Sequence, residues 1–238
     1  LPDIFPVLIL NARPAAGKSE ILQALTQLPD EVRRRRFHLG PLQVLDDFPL
    51  LWSWFEEDRL LEQVFRRPRL HTTPDEYFLH HDFWHLLIRR LCLAYEKLLR
   101  DQRQPHTVVL EFSRGKEHGG YRAAYTHLSP PILQQAVCLY VRVSYAESLR
   151  KNRQRFDPQR PDSILQHGLS DAKLEQLYHA DDWDELTQAH PTWVQFGDHR
   201  VPYAVFENED DVTTPGGAAL LARLETCTDK LWQGHLQR

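Results

Sequence analysis

Apolar positions along the chain fall into two rhythms. Val7 to Leu10 is a short continuous run that ends in a turn-rich segment, as a strand buried on both faces of a parallel sheet should. Ile21, Leu22, Leu25 and Leu28 then recur at helical spacing and predict a helix ending near Pro29. The alternation continues, with Leu42 to Leu45, Thr107 to Phe112, Ala136 to Val143 and Tyr203 to Phe206 reading as strands. Helices are predicted at Phe83 to Leu99, Ala146 to Phe156, Ala172 to Tyr178 and Ala218 to Trp232. Strands and helices in turn predict an α/β protein with a parallel sheet covered on both faces. Stretches rich in Pro, His and Arg at 66–75, 114–131 and 157–170 read as long connections, which in compact domains are usually functional or mobile.

A length of 238 residues fits a single domain, 1–238, better than two. Within it, 48–104 is expected to build a helical acceptor side and 146–170 a lid. The 42% hydrophobic content marks a globular chain with a sizeable core. A formal charge of −4 provides no overall basic field, so nucleic acid is not an expected partner. Two basic runs, Arg33 to Arg36 and Arg150 to Arg155, are local exceptions, and the first reads as a solvated helix face. Cys92, Cys138 and Cys227 lie far apart, two of them in apolar runs, and are expected to be reduced and structural, which suits a cytoplasmic address. No apolar stretch approaches a membrane span and no signal-like segment opens the chain, so a soluble, unsecreted protein is expected, with a second copy in a homodimer among its candidate partners.

The chemistry begins where the first strand meets the first helix, at Asn11-Ala12-Arg13-Pro14-Ala15-Ala16-Gly17-Lys18-Ser19. In that context the segment matches a Walker A loop. Backbone N–H groups around Ala15, Ala16, Gly17, Lys18 and Ser19 would face phosphate oxygens at a helix N-terminus. Lys18 would reach the β- and γ-phosphates, and Ser19 would ligate Mg²⁺. Ala12 stands where the pattern has its first glycine, which requires a negative φ there, and Pro14 removes one N–H from the cradle.

Asp46-Asp47-Phe48 follows the second strand, at the strand edge where open α/β sheets bind ligands. Asp46 is the first candidate for the base that takes a hydroxyl proton. Asp47 is a candidate either to cap the next helix or to hold a Mg²⁺-bound water, and Phe48 to touch the acceptor. The third strand delivers Glu111, Ser113 and Arg114 to the same edge. Glu111 is a candidate Mg²⁺ ligand and an alternative base, and Arg114 a candidate for binding the acceptor or the transferred phosphate. The aromatic residues from Trp52 to Trp84 read first as core and second as a wall for an acceptor. His81 and His85 share a helical face but lack a supporting metal signature. Arg150 and Arg153, one turn apart, are candidates to neutralise the phosphoryl group in transit, with 157–168 opening and closing beside them. Glu207 to Asp211 reads equally as a base-contacting loop or as plain turn chemistry.

Together these residues resemble the P-loop kinases of nucleosides and small metabolites. Leu8-Ile9-Leu10-Asn11 running into Ala16-Gly17-Lys18-Ser19 looks like the chloramphenicol phosphotransferase-like family. Asp46-Asp47-Phe48 looks like the Asp-x-Phe element of uridine kinase and nicotinamide riboside kinase, whose first Asp activates the acceptor hydroxyl. Glu111 to Arg114 is similar to the Glu-Arg-Ser element of deoxynucleoside kinases, except that Phe112 intervenes and Arg follows Ser. The resemblance implies a P-loop NTPase fold with five parallel strands in the order 2-3-1-4-5, an arginine-bearing lid, and a base contact from the loop holding Asn208.

The leading expectation is an ATP- and Mg²⁺-dependent phosphotransferase acting on a hydroxyl of a small nucleoside, nucleotide, sugar or antibiotic. Its rival is a nucleotide-binding switch with slow hydrolysis, which usually needs an Asn-Lys-x-Asp motif that this chain lacks. A third, kinase action on a nucleic-acid end, would enlist Arg33 to Arg36 and runs against the acidic balance.

Overall fold

The computed structural model describes residues 3–101, 106–155 and 169–238. Phe156 and positions 157–168 of the expected lid lie outside the described residues, as do 102–104 at the end of the expected acceptor side. The chain runs β1 (Val7–Ala12), α1 (Lys18–Gln27), α2 (Asp30–Phe37), β2 (Leu42–Asp46), α3 (Asp47–Gln63), α4 (Asp82–Asp101) and β3 (Thr107–Phe112). A single 3-10 turn (Lys116–His118) leads to α5 (Gly120–Thr126), α6 (Pro130–Gln135), β4 (Ala136–Arg142), α7 (Tyr145–Arg155) and α8 (Asp171–Tyr178). The remainder is α9 (Trp183–Thr187), β5 (Trp193–Phe196), β6 (His199–Glu207) and α10 (Gly217–Leu236). No helix among the described residues is long and apolar enough to cross a membrane.

The sheet has six strands in the order β2-β3-β1-β4-β6-β5, where five in the order 2-3-1-4-5 were expected. The added strand is β5, which pairs antiparallel with β6 through the two-residue turn Gly197-Asp198. All other pairings are parallel. Every residue of β1 and β3 is buried, because helices cover both faces and neighbours both edges. Side chains alternate between two cores. Val7 and Ile9 pack with Leu91 and Tyr95 of α4 and Tyr125 of α5. Leu8 and Leu10 pack with Ile21 and Leu25 of α1 and Leu224 of α10. Cys92, Cys138 and Cys227 are free thiols buried as small hydrophobes.

Two arginines of the expected solvated face are engaged in packing. Arg33 is buried, donating to the carbonyls of Gly40 (2.9 Å), Leu25 (3.1 Å) and Leu28 (3.2 Å) and pairing with Asp30, so it closes the C-terminal end of α1. Arg36 makes a bidentate pair with Glu225 of α10 at 2.9 and 2.6 Å. Both arginines hold helices together and are not presented as a phosphate-tracking stripe. The 66–75 connection is pinned by Asp58, wholly buried, which accepts from Leu70 N (2.8 Å), Thr72 N (2.6 Å) and Thr72 Oγ1 (2.7 Å). Burial alone would raise the Asp58 carboxyl, but these donors outweigh it and hold it below its ordinary range.

The 114–131 stretch, expected as a connection, folds into the 3-10 turn and α5, and α8 docks on it. Lys116 N donates to Ala180 O at 2.8 Å. Gly115 has an ordinary extended conformation, yet a Cβ on it would overlap the Leu177 carbonyl. Glycine is required there by close approach alone. Gly115→Ala should therefore lift α8 off the turn and cost about 1–3 kcal/mol, read by urea denaturation; an unchanged midpoint would contradict this docking.

Candidate functional site

The bend after β1 is shaped by two left-handed residues, Ala15 at φ +57° and Gly17 at φ +111°. Ala12 is the last residue of β1 and stays extended, so the missing first glycine costs the bend nothing. Gly17 is obligatory, since a Cβ would lie 2.6 Å from Thr213 Oγ1 and 2.9 Å from Asn208 Nδ2. Distant groups hold the loop's carbonyls outward. Asn208 Nδ2 donates to Ala16 O at 2.8 Å, and Ser148 Oγ to Pro14 O at 2.7 Å. Arg13 spans from the loop to the carbonyls of Val143 (3.2 Å) and Tyr178 (3.3 Å) and pairs with Asp181 at 2.8 Å. Among the described residues, the N–H groups of Ala15, Gly17, Lys18 and Ser19 donate no hydrogen bond. Four N–H groups without partners, at and just before the start of a ten-residue helix, make an anion cradle.

Lys18 is 9% exposed and donates to Ser113 Oγ at 2.7 Å, with Glu111 Oε1 at 3.8 Å. Parallel pairing of β2 and β3 sets Asp46 beside Glu111. Asp46 Oδ1 accepts from Phe48 N at 2.9 Å, so Asp46, and not Asp47, caps α3. Burial, with Glu111 and then Asp47 nearby, pushes the Asp46 carboxyl up to about 7. Burial also raises Glu111, against the opposing pull of Lys18. A half-buried and a buried carboxylate side by side, the second 3.8 Å from the Lys18 ammonium, suit either a bound proton or a divalent cation, and Ser19, exposed on the same cavity wall, adds a hydroxyl oxygen. The donor set therefore fits Mg²⁺.

A cavity of about 590 Å³ opens from this edge. Its floor carries Ala15, Lys18, Ser19, Asp46 and Glu111, and its aromatic wall Phe48, Phe78, Trp84 and Tyr178. Asp47 and Arg114 also line it, but as a buried ion pair at 2.7 Å. Arg114 further donates to the carbonyls of Ser113 (2.7 Å) and Trp84 (3.1 Å), so its guanidinium is fixed in the wall. His118 stacks on Trp84 at 3.7 Å and accepts from Gly115 N at 3.2 Å through Nδ1. Burial drives its pKa far down, so the ring is neutral with its hydrogen on Nε2.

Three predicted residues stand elsewhere. Arg150 pairs with Glu147 and Asp211 (2.9 Å), and Arg153 with Asp171 (2.7 Å); both are exposed and lie off the cavity. Asn208 is wholly buried behind the loop. The face of α7 turned to the cavity carries Asn152 and Arg155, the latter bound to both oxygens of Glu20 at 2.9 Å. Lys173 and Tyr178 arrive from α8. Arg155 belonged to the basic run, but two helical faces of that run carry cations, and sequence offers no sign of which faces inward. His81, Asp82 and His85 offer ligand atoms within 4.8 Å of one another, at the start of α4, where the helix dipole opposes a cation.

No protein-family model matches the chain, and no curated protein does. Among solved structures, the chain is similar to a gluconokinase from Sinorhizobium meliloti 1021 at 12% identity, over 97% of this chain and 98% of that one, with a TM-score of 0.43. It is similar to APE1195 at 14% identity, over 95% and 98% of the two chains, with a TM-score of 0.42.

The raised Asp46 carboxyl has a signature in stability. Its contribution is whole below about pH 4 and is lost as pH rises through about 7, where the folded site must hold a second buried charge. Asp46→Asn keeps the cap acceptor without the charge. In metal-free buffer its stability relative to wild type should grow by about 2–4 kcal/mol from pH 5 to pH 8. Denaturant titrations at both pH values measure this, and a difference independent of pH would contradict the site's electrostatics.

Proposed function

We propose that this chain is a phosphotransferase that moves the γ-phosphate of ATP onto a hydroxyl of a small molecule, with Mg²⁺ as cofactor. The observation that carries the reading is the meeting of an amide-lined cradle, Lys18 and a carboxyl poised near neutral pH on one cavity wall. When phosphate enters, Lys18 exchanges Glu111 for phosphate oxygens. Mg²⁺, held by Ser19 and Glu111, would neutralise charge on the β- and γ-oxygens. The acceptor hydroxyl gives its proton to Asp46 as its oxygen bonds to the γ-phosphorus, and the bond to the β-phosphate oxygen breaks. Arg155, released from Glu20, supplies the positive charge to the phosphoryl group in transit. Asp47 and Arg114, paired with each other, form the fixed wall beside Asp46.

A switch that only hydrolyses nucleotide has no use for an acceptor-sized cavity ending on Asp46. That cavity favours transfer.

Lys18→Ala should weaken triphosphate binding by about 100-fold or more, in line with the loss of a charge-assisted phosphate contact. Asp46→Asn should leave nucleotide affinity within about three-fold and lower transfer by about 10²–10⁴. Nucleotide titration and product assays test both, and wild-type transfer by Asp46→Asn would shift the base to Glu111. In the same assay Arg155→Ala should lose about 10²–10³ in turnover, while Arg150→Ala and Arg153→Ala stay within about two-fold. Loss of turnover in the latter pair alone would overturn the assignment of Arg155. EDTA should abolish turnover and added Mg²⁺ restore it.

A further inference from the structure

Histidines crowd together where the start of α4 meets the 3-10 turn and α5. His81, just before α4, and His85 within it stand four residues apart, a spacing that puts both side chains on one helical face. Their ring centroids lie 5.3 Å apart, with the planes at 66°. His81, Asp82 and His85 each offer one ligand atom within 4.8 Å of the others, and no other trio of His, Cys, Asp and Glu does so among the described residues. His81 and Asp82 are exposed and His85 is half-buried, so an ion from solution can reach them.

The surroundings hold both rings for ligation. His81 Nε2 lies 2.9 Å from the Glu117 carbonyl, which can only accept, so Nε2 carries the hydrogen and Nδ1 keeps its lone pair. A carbonyl behind the ring is what commonly fixes the tautomer and orientation of a metal-bound imidazole. His85 is held flat against His127, with centroids 4.3 Å apart and planes at 17°, and its buried Nδ1 has no hydrogen-bond partner. Gly119 keeps the ground between the rings open. A Cβ there would lie 3.8 Å from Cε1 of His85 and 3.9 Å from Cε1 of His81, so both rings bring the corner between their nitrogens to the same bare backbone. The dipole of α4 sets about half a positive charge at this helix start, and the Asp82 carboxylate answers it with a full negative one.

The geometry points to a binding site for a borderline divalent transition-metal ion, Zn²⁺ above all, held by His81, Asp82 and His85 with a further coordination position open to water. Two imidazoles and a carboxylate suit Zn²⁺, whereas Mg²⁺ demands an octahedron of oxygens and is left to the bend after β1. His81 and Glu117 both line the cavity, so the ion sits at its rim and fastens the start of α4 to the 3-10 turn. The site shares no ligand with Ser19, Asp46 or Glu111 and stands whether or not the cavity receives a phosphoryl acceptor.

Calorimetric titration of the untagged full chain with Zn²⁺, at slightly alkaline pH and with Mg²⁺ in large excess, tests this. The wild type should take up one ion per chain with a dissociation constant on the order of micromolar or tighter. His81→Ala and His85→Ala should each weaken uptake by at least about ten-fold, and Asp82→Asn by several-fold. His179→Ala, on the exposed end of α8, should change nothing. Asp46→Asn should bind as the wild type does, which separates this ion from one at the bend. Circular dichroism confirms that each variant is folded, and because His81 is exposed, His81→Ala decides the matter if His85→Ala disturbs the packing against His127. No uptake at micromolar Zn²⁺, uptake unchanged in His81→Ala, or uptake lost in Asp46→Asn would overturn the assignment.

Discussion

Backbone carbonyls in the bend after β1 face away from the cavity because groups far along the chain hold them there. Asn208 takes the Ala16 carbonyl and Ser148 that of Pro14, across 192 and 134 residues of sequence. Neither donor reaches the loop until β4 has paired with β1 and β6 with β4. Each bond is worth only about 1 kcal/mol net, but a carbonyl free to turn would set its oxygen against the unpartnered N–H groups of the bend. The cradle is therefore a product of sheet order, and the local sequence alone does not complete it. Gly17 closes the arrangement, since Asn208 and Thr213 occupy the space of any side chain there.

A second constraint follows from the parallel register of β2 and β3. It sets Asp46 level with Glu111, and Lys18 is the nearest ammonium to either. In the free protein this costs stability above neutral pH, a local conflict of the sort that functional sites keep. Arg114 and Asp47 behave differently: they neutralise each other within the wall, which makes them a scaffold for the charges that remain open.

Much of this was legible in the chain. The continuous apolar runs located β1, β3 and β4 because strands buried on both faces need no alternation. The turn position between β1 and α1 placed the cradle, and the acidic residues at strand ends placed Asp46 and Glu111. The edge strand β5 leaves little trace in the sequence because four residues carry little periodicity, although Gly197-Asp198 between two apolar stretches is a hairpin signal. That Arg155 lines the cavity and Arg150 and Arg153 do not is invisible in the sequence, because helical spacing reveals which cations share a face and only packing decides which face looks inward. Arg33 was hidden for a similar reason: a run of four arginines gives no hint that one of them folds back onto carbonyls. The pairing of Asp47 with Arg114 joins residues 67 positions apart and needed the β2–β3 register to become visible.

Phosphorus NMR of a non-hydrolysable ATP analogue tests the central claim most directly, because it observes the phosphates themselves. With Mg²⁺ present, adding the protein should shift and broaden the β- and γ-phosphorus resonances in a saturable way, as amides of the bend and the Lys18 ammonium replace water around them. Resonances that stay at their free positions at millimolar protein would contradict a polyphosphate cradle at this bend.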